Sequence, residues 1–427
     1  MKTYQETLDF LYTQLPMYQK VGKSAFKKDL TNTQALLKEL GNPERTFRSI
    51  HIAGTNGKGS SAAMLNSVLI QSGYCTGCYT SPHLKSFTER ITIDGSNIAE
   101  QEVIQFVERI KPQIETIQPS FFEITVAMAF WYFSQQQVDI AVIETGLGGR
   151  LDSTNVILPE VALITKIGMD HKDMLGYTLE AIAGEKAGII KEKIPTVLGS
   201  DQPEILHVFA EKARSVGSEL ITTRSQYHWE QRPARLGKQV LDLYVRDELI
   251  YEALELNNAA AYVSDNLPGV LEVLRILQPG FPSINEQSIR RGLAHFQLKG
   301  RMQVLGEQPL VIADVSHNEQ GLQALFDKIG HWPCEKLRII LGSVREKDHS
   351  GVLALLPRDA VYYFTQSQVP RSLPLSALKT AALDTGIRGA AYANVNIALA
   401  AAKMQANETD CILICGSTFV VAEIEDL

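Results

Sequence analysis

The chain contains 427 residues, of which 45% are hydrophobic and 21% are charged, and its formal net charge is −7. These values are typical of a globular protein of about two or three domains, so they exclude a disordered or collagen-like chain. The acidic balance argues against a nucleic-acid-binding surface, while it leaves room for a local basic pocket that holds phosphates.

The first half of the chain alternates predicted strands and helices. Amphipathic helix is predicted over the first 45 residues, with a stop signal at residues 41–43, Gly-Asn-Pro. Strands are predicted at 49–53, 76–80, 139–144, 161–165 and 196–198, with helices at 60–72, 121–137 and 178–190. Strands that alternate with helices predict βαβ units and a mainly parallel sheet.

The pattern changes after residue 218 and restarts near residue 300. Residues 240–245 and 249–256 predict an antiparallel hairpin at a sheet edge, followed by helices at 266–277 and 285–295. Beyond them we predict strands at 310–313, 337–341, 361–364 and 411–415, with helices at 320–329, 350–356, 375–384 and 394–404. We therefore predict an α/β protein of two domains. Residues 1–297 would form a phosphate-loop NTPase-like domain with a mainly parallel sheet, and residues 298–427 a smaller Rossmann-like domain.

The cysteines and the N-terminus favour a cytoplasmic protein. Five cysteines, an odd number in a large chain, fit a reducing compartment. Cys75 and Cys78 have the spacing of a redox or zinc pair, but no second pair accompanies them, so ordinary cysteines are favoured. The N-terminus lacks a signal-peptide pattern, and no run reaches about 18 apolar residues, so we expect no membrane association.

Residues 54–60, GTNGKGS, lie between a predicted strand and a predicted helix. Glycines let backbone N–H groups turn toward phosphate oxygens, and the helix adds its positive N-terminal end. Lys58 supplies a charge for the β- and γ-phosphates, and Ser60 a hydroxyl for phosphate or Mg²⁺. The spacing departs from the usual G-x-x-x-x-G-K-[ST]. A glycine-rich turn with a surface lysine is the alternative, and the combination of residue types favours a phosphate loop.

Three polar residues follow three of the predicted strands. Ser81, Glu144 and His171 each lie at or just beyond the C-terminal end of a strand, where α/β proteins bind ligands. Oxygen ligands with one imidazole suit Mg²⁺ or Mn²⁺ held together with nucleotide phosphates. Each residue alone is more often structural, but beside a phosphate loop the functional interpretation is favoured.

Lys186 has small, apolar neighbours in the sequence. An amine that points inward among them would need a charge partner or a modification. The spacing alone favours a solvated lysine.

Together these segments resemble the Mur ligase superfamily, and within it the folylpolyglutamate synthase/dihydrofolate synthase family. The resemblance covers nearly the whole chain. It rests on HIAGTNGKGSSAAM, YTSPHL, FEITVAMAFWYF, VIETGLGGRLDSTNV, ITKIGMDHKDMLGYTLEAIAGEKAGIIK, LKGRMQVL and IADVSHNEQG. It implies an ATP-dependent ligase in which a folate carboxylate is phosphorylated and the acyl phosphate is attacked by the amino group of L-glutamate.

The resemblance also implies the site residues. The catalytic set would be Lys58, Glu144, His171 and a carbamylated Lys186. Two magnesium ions would be held by Ser81, Glu144 and His171. ATP would be bound by Gly57, Lys58, Gly59, Ser60, Asn266, Arg301, Asp314 and His317. The folate would be bound by Ser120, Phe121, Phe122, Glu123, Leu151, Asp152 and Ser153.

The chain departs from the family pattern at a few positions. Around Asn266, the usual Gly-x-(His/Tyr)-Gln-x-x-Asn lacks its glycine and glutamine. The usual Asp-(Gly/Thr)-Ala-His-Asn reads Asp-Val-Ser-His-Asn at residues 314–318, which keeps Asp314 and His317. Lys166 replaces the usual Asn before the Asp-His pair, which adds a cation near the predicted metal site.

Other functions stay open at this point. A peptidoglycan-precursor ligase would usually carry a further domain before the phosphate loop, and a loop at residue 54 leaves too little chain for one. A phosphate-loop NTPase acting as a switch would hydrolyse nucleotide without an amino acid. Within the family, the predicted pterin-binding residues favour an enzyme that acts on both dihydropteroate and tetrahydrofolates. We expect small-molecule substrates only, no nucleic-acid partner, and a monomer.

Overall fold

The computed structural model describes residues 3–15, 29–223, 226–234, 237–329, 334–345 and 349–427. The chain divides into two compact units. The large unit comprises Met1–Arg232, Leu241–Glu255 and Asp265–Phe296. The small unit comprises Pro233–Val240, Leu256–Ser264 and Gln297–Leu427, so it also takes in two short segments that the predicted division assigns to the first domain. Within the described ranges, no helix combines the length and apolar character that crossing a bilayer would need.

The large unit is built on an eight-stranded sheet in the order β4-β3-β2-β5-β1-β6-β7-β8. The strands are β1 (Arg48–Ala53), β2 (Thr76–Tyr79), β3 (Ile91–Ile93), β4 (Ser96–Asn97), β5 (Ile140–Glu144), β6 (Val161–Ile164), β7 (Thr196–Leu198) and β8 (Leu220–Thr222). All neighbours pair in parallel except β3, which is antiparallel to β2 and to β4. Because β2, β5, β1 and β6 are adjacent, the loops after these four strands leave one edge of the sheet side by side.

Helices accompany this sheet, and two of the longer ones, Glu100–Ile117 and Pro203–Val216, were not predicted from the sequence. They span Tyr4–Gln14, Thr31–Glu39, Lys58–Gln71, Glu100–Ile117, Phe121–Gln135, Lys172–Leu175, Leu179–Ala187, Pro203–Val216, Leu267–Leu277 and Glu286–His295, with 3₁₀ turns at Pro43–Arg45, Phe87–Arg90 and Ser153–Val156. The helix Phe121–Gln135 is nearly all apolar because it is buried on most sides; Phe130 and Phe133 are fully buried. Part of the predicted N-terminal helix, residues 16–28, lies outside the described residues.

The predicted hairpin is present, and one of its strands, β11 (Glu248–Leu256), lies at the edge of a sheet that is separate from the eight-stranded one. β10 (Gln239–Val245) and β11 (Glu248–Leu256) form a separate three-stranded sheet with β9 (Tyr227–Arg232). The hairpin turns through Arg246 and Asp247, which both have positive φ, at 49° and 67°. Two central residues with positive φ produce a turn whose twist matches that of the strands, so a two-residue loop closes the hairpin.

The small unit contains a six-stranded sheet in the order β12-β13-β17-β14-β15-β16. The strands are β12 (Gln303–Glu307), β13 (Leu310–Ala313), β14 (Leu337–Leu341), β15 (Val361–Phe364), β16 (Gly389–Ala391) and β17 (Cys411–Cys415). Helices span Ala261–Ser264, Glu319–Ile329, His349–Ala354, Leu375–Asp384, Val395–Gln405 and Thr418–Ala422. All strands are parallel except β12, and the four predicted strands have the predicted bounds. The predicted α/β fold class is confirmed.

Candidate active site

The predicted phosphate loop connects β1 to the helix Lys58–Gln71 and fits tightly against its neighbours. Gly57 has a φ of 99° and precedes the first helical residue. A Cβ at Gly57 would lie 2.2 Å from Oδ1 of Asn266, and a Cβ at Gly54 would lie 1.8 Å from Oγ1 of Thr165. Both distances are far below van der Waals contact, so only glycine fits at these two positions. The first of them also places Asn266 beside the loop.

Hydrogen bonds tie the loop to the segment that follows β6. The backbone N–H groups of Thr55 and Asn56 both donate to the carbonyl of Lys166, at 2.9 and 3.1 Å. The Thr55 hydroxyl accepts from the N–H of Gly168 at 3.0 Å. The start of the segment that leads to Asp170 and His171 is therefore held against the phosphate loop. The side chain of Lys166 itself is exposed.

Two lysines converge on a single carbonyl of the loop. Nζ of Lys58 donates to the Gly54 oxygen at 3.0 Å, and Nζ of Lys186 donates to the same oxygen at 2.8 Å. Lys186 is buried, so the solvated lysine that spacing alone favours is wrong. Burial is the main cause that lowers the pKa of Lys186 to about 7; the Lys58 ammonium acts in the same direction, and the carboxylates of Asp170 and Asp152 oppose it.

Glu144 ends β5 and lies beside the phosphate loop. Its side chain is buried, with 5% of its surface exposed. Its Oε2 accepts a hydrogen bond from the N–H of Ser81 at 3.4 Å, and a Cβ at Gly59 would lie 3.8 Å from the same oxygen. The carboxylate therefore lies near the first turn of the helix Lys58–Gln71, where the helix dipole favours negative charge. The structure thus brings Glu144, Ser81 and the loop together.

His171 follows β6 and is held by the preceding carboxylate. Its backbone N–H donates to Oδ1 of Asp170 at 2.9 Å, and its Nε2 lies 3.9 Å from Oδ2 of that residue. The imidazole is 38% exposed. Over the described part of the chain, no three His, Cys, Asp or Glu side chains are grouped as metal ligands. A metal here would need most of its ligands from phosphates and water, as Mg²⁺ does in nucleotide sites.

Two of the predicted folate-binding residues cap a helix. The N–H of Ser120 donates to Oε2 of Glu123 at 2.6 Å, and the N–H of Glu123 donates to Oγ of Ser120 at 3.3 Å. This reciprocal pair is a capping box at the start of the helix Phe121–Gln135. The sequence contains the pattern typical of a capping box here, Ser-x-x-Glu before an apolar run. Any folate contact of these two residues remains a prediction.

The neighbouring aromatic residues face different surroundings. Phe121 is buried, and its ring lies 5.4 Å below the guanidinium of Arg90 and 5.5 Å from the ring of Tyr12. Phe122 is half-buried and lies against the glycine-rich loop after β5, because a Cβ at Gly146 would approach its ring to 2.3 Å. Of the two, Phe122 is the one placed beside the segment that follows Glu144.

Asp152 organises the loop that follows β5. Its Oδ2 accepts from the N–H of Leu147 at 2.8 Å, and its Oδ1 accepts from both the N–H and the hydroxyl of Thr154, at 3.0 and 2.5 Å. Because the Thr154 hydroxyl donates to Asp152, it accepts from Nε2 of His51, 2.9 Å away. Burial lowers the pKa of His51 to about 3, so this imidazole is neutral. The sequence analysis did not predict this contact between His51 and Thr154. The signal available in the sequence was a histidine within a predicted buried strand.

Leu151 and Ser153 flank Asp152 in the sequence. Leu151 is half-buried, and Ser153 is buried at the start of the 3₁₀ turn Ser153–Val156. A role for either of them in folate binding remains a prediction.

The small unit gathers its predicted nucleotide-binding residues at the end of β13. Oδ2 of Asp314 accepts from the Tyr262 hydroxyl at 2.7 Å and from the N–H of Met302 at 2.8 Å. The residue before Met302 is Arg301, whose carbonyl accepts from Asn258 at 2.7 Å. Nδ1 of His317 lies 2.9 Å from the carbonyl two residues earlier in the chain. Sequence reasoning assigned no role to Tyr262, whose pKa is raised well above its ordinary value, by burial first and then by Asp314.

Comparisons with known proteins cover almost the whole chain. Residues 52–237 match the Mur ligase middle domain, and residues 300–418 match the Mur ligase glutamate ligase domain. The dihydrofolate synthase/folylpolyglutamate synthase of Bacillus subtilis is 32% identical over 99% of this chain and 98% of its own length. The crystal structure of Mycobacterium tuberculosis folylpolyglutamate synthase with ADP and AMPPCP is 32% identical, with a TM-score of 0.86 over 98% of this chain and 97% of that one. Escherichia coli FolC in complex with DHPP and ADP is 29% identical, with a TM-score of 0.84 over 99% of this chain and 96% of that one.

Proposed function

Because the chain belongs to the folylpolyglutamate synthase/dihydrofolate synthase family of Mur ligases, we propose that it joins L-glutamate to folates in an ATP-dependent reaction. The observation that carries the proposal lies in the large unit. There a phosphate loop, two lysines and the buried carboxylate of Glu144 meet where adjacent parallel strands end. This arrangement suits the transfer of a phosphoryl group from a nucleoside triphosphate to a second substrate.

The reaction requires an activated carboxylate, because a free carboxylate is a poor acylating agent. The γ-phosphoryl group of ATP is transferred to the folate carboxylate, which releases ADP and leaves an acyl phosphate. The amino group of glutamate then attacks the acyl carbon and loses a proton, and phosphate leaves from the tetrahedral intermediate as the amide forms. Catalysis by the protein consists mainly of positioning three substrates and of neutralising charge on the transferred group.

In the large unit, the backbone N–H groups of Gly57, Gly59 and Ser60 would hold the triphosphate at the start of the helix. The Lys58 amine, which donates to a loop carbonyl, would move to the β- and γ-phosphates. Asn266 would contact the nucleotide, a role that its position beside Gly57 supports although the surrounding family motif is incomplete. ATP binding by Arg301, Asp314 and His317 in the small unit rests on the family resemblance, with their grouping at the end of β13 in support.

The residues at the sheet edge fit a divalent cation. Glu144 is a buried carboxylate whose Oε2 accepts a hydrogen bond from the N–H of Ser81 at 3.4 Å. Hard oxygen donors and one imidazole match Mg²⁺, so Ser81, Glu144 and His171 would hold it together with phosphate oxygens. Bound magnesium would supply positive charge that neutralises the transferred phosphoryl group. Two ions, as the resemblance implies, stay part of the proposal.

The buried amine of Lys186 supports carbamylation at this position. With a pKa of about 7, roughly three quarters of its amines are neutral at pH 7.5, against about one in a thousand for an ordinary lysine. Only the neutral amine reacts with CO₂, so the site favours the modification. Carbamylation would also replace a buried cation by an anion. An intact mass of the native enzyme, recorded in bicarbonate and again after removal of CO₂, tests this; an unchanged mass under both conditions would contradict it.

For the folate, we propose that Phe122 contributes to the binding of the flat pterin ring, because it is half-buried beside the loop that follows Glu144. Exchanging Phe122 for Ala should raise the KM for the folate substrate with little change in the KM for ATP. A matched control is Phe281→Ala, since that ring packs on Arg48 and Tyr74 away from the proposed site. Equal effects of the two exchanges on the KM for the folate would contradict the assignment.

The central experiment measures ADP release by the purified protein in four mixtures: ATP alone, with glutamate, with a folate, and with both. A ligase should release ADP in proportion to the amide product only when both are present. Turnover that does not depend on glutamate would refute the ligase and favour a regulatory NTPase. Lys58→Ala and His171→Ala should abolish ligation without loss of fold, whereas Lys193→Ala, an exchange of a lysine that is 83% exposed, should not.

The same assay separates the two activities within the family. We propose that the chain accepts both dihydropteroate and reduced folates that already carry glutamate, a proposal supported by the relative from Bacillus subtilis, whose name covers both activities. Chain extension of tetrahydrofolate without any product from dihydropteroate would restrict it to polyglutamylation.

We propose further that the protein acts as a monomer, as the family resemblance suggests. We also propose that it lies in the cytoplasm, because an odd cysteine count fits a reducing compartment. Light scattering coupled to gel filtration measures the first property, and cell fractionation with activity assays measures the second. A stable dimer at micromolar concentration, or activity confined to the membrane fraction, would contradict the corresponding part.

A further inference from the structure

The amines of Lys58 and Lys186 share one acceptor in the large unit. Both donate to the carbonyl oxygen of Gly54, at 3.0 and 2.8 Å, so the two nitrogens lie within about 6 Å of each other. Lys186 is 4% exposed, whereas Lys58 is half-buried at the start of its helix. The other charged groups that act on Lys186 are the carboxylates of Asp170 and Asp152, which favour its protonated form. When both amines are protonated, two like charges face one carbonyl.

We infer that Lys58 promotes the reaction of Lys186 with CO₂, and that it is a positioning residue for this modification in addition to its proposed contact with phosphate. The inference rests on the proposed function, in which Lys186 is carbamylated. It assigns the cause of the modification to a specific neighbour and predicts that the charge of Lys58, not its shape, is what matters.

A neighbouring cation favours carbamylation in two ways: it destabilises the ammonium form of the reactant and stabilises the carbamate anion of the product. The Lys186 ammonium first loses a proton to solvent, which the like charge of Lys58 favours. The neutral nitrogen then attacks the carbon of CO₂, a C–N bond forms, and one C=O electron pair moves onto oxygen. Loss of a second proton from nitrogen leaves a carbamate anion. A pair of repelling cations thereby becomes a pair of opposite charges, without any oxidant or further reactant.

The size of the effect follows from Coulomb's law. In a medium as polar as water, a unit charge about 6 Å away shifts a pKa by about half a unit. At pH 7.5 most Lys186 amines are already neutral, so removing the charge of Lys58 lowers the neutral fraction by less than about twofold. The carbamate anion also loses about half a unit of stabilisation, a factor of about three. The CO₂ concentration that modifies half of the protein at pH 7.5 should therefore rise about fivefold, and more steeply in a less polar environment.

The experiment measures carbamate at Lys186 in the full-length protein without ATP, folate or glutamate. Protein equilibrated with a series of ¹³CO₂/bicarbonate concentrations at pH 7.5 is examined by ¹³C NMR, and the carbamate is trapped with triethyloxonium and located by mass spectrometry. Four variants are compared with the wild type: Lys58→Met, Lys58→Gln, Lys58→Arg and Lys191→Met. The last removes a partly buried lysine whose Nζ donates to the Asn155 carbonyl, so it is a matched control for the loss of a lysine.

We expect Lys58→Met and Lys58→Gln to need about fivefold more CO₂, and Lys58→Arg and Lys191→Met to behave as the wild type. Circular dichroism identifies a variant that fails to fold. If one of the two neutral variants, Lys58→Met or Lys58→Gln, does not fold, the other still tests the inference. Equal carbamate occupancy in the wild type and a folded neutral variant would overturn the inference, as would equal losses in Lys58→Arg and Lys58→Met. Ligation is measured separately by ADP release, so a wild type that ligates folates while Lys58→Met carbamylates normally would refute this inference alone.

Discussion

The sharpest test of the phosphate loop is the exchange of Gly57 for Ala. At a φ of 99° an alanine is strained by about 1–2 kcal/mol. Its Cβ would also lie 2.2 Å from Oδ1 of Asn266, an amide that is 8% exposed and must therefore shift. Gly73→Ala is the matched control, because Gly73 has a φ of 85° but no atom of the described residues lies within 4 Å of an added Cβ. The excess cost at Gly57 measures the contact with Asn266.

We expect Gly73→Ala to lower the free energy of unfolding by about 1–2 kcal/mol without changing ADP affinity. Gly57→Ala should cost more and should weaken ADP binding at least about tenfold, because the loop or the amide must move away from the nucleotide. Gly59 lies in the first turn of the helix, and among the described residues an added Cβ would meet one carboxylate oxygen, 3.8 Å away. Gly59→Ala should therefore leave the free energy of unfolding unchanged or raise it by up to about 1 kcal/mol.

The assays are urea unfolding and calorimetric titration with ADP. A cycle with Asn266→Ala isolates the contact, since removing the amide in the Gly57→Ala background should return the stability loss to the value found for Gly73→Ala. Equal losses of stability in Gly57→Ala and Gly73→Ala, or no recovery in the double variant, would refute the assignment of Asn266 to the wall of the loop. Unchanged ADP affinity in Gly57→Ala would refute the loop as the nucleotide site.

Further predictions concern both units. Glu144→Gln keeps the size of this buried side chain but removes its charge. The rate of ADP release should fall by about 10²-fold and should not recover as the Mg²⁺ concentration is raised. Near-normal turnover would exclude Glu144 from the metal site. The folded-state pKa of Lys186 lies below its unfolded value, so the unfolded chain binds the extra proton between about pH 7 and 10. In CO₂-free buffer the wild type should therefore gain stability over Lys186→Met as pH rises from 7 to 9, by up to about 1.4 kcal/mol per pH unit, and a constant difference in urea unfolding would contradict this. In the small unit, Nε of the buried Arg338 lies 2.9 Å from Oδ2 of Asp410. Asp410→Asn removes the counter-charge of this guanidinium, so the free energy of unfolding measured in urea should fall by about 3–5 kcal/mol. A loss below about 1 kcal/mol would show that the pair is not isolated from water.

Local hydrophobic patterns were enough to place most helices and strands. The four predicted strands of the small unit are apolar runs, and each forms a buried strand with the predicted bounds. The two strands of the small unit that were missed lack such a run. β12 is half-buried and antiparallel, and β16, Gly389–Ala391, is three small residues at the sheet edge. The strand status of such segments depends on the neighbour with which they pair, which periodicity does not contain.

The sequence by itself determined the α/β class and predicted a phosphate loop, because glycines at a strand–helix junction act through their own backbone. Only the tertiary structure decided which distant groups meet there. Asn266 lies beside Gly57, although 209 positions separate them, and Lys186 turns inward to the Gly54 carbonyl. Among small apolar neighbours, helical spacing is the same for an inward and an outward lysine. Its direction, and with it a pKa near 7, follows from packing against the loop, where burial removes water from the ammonium.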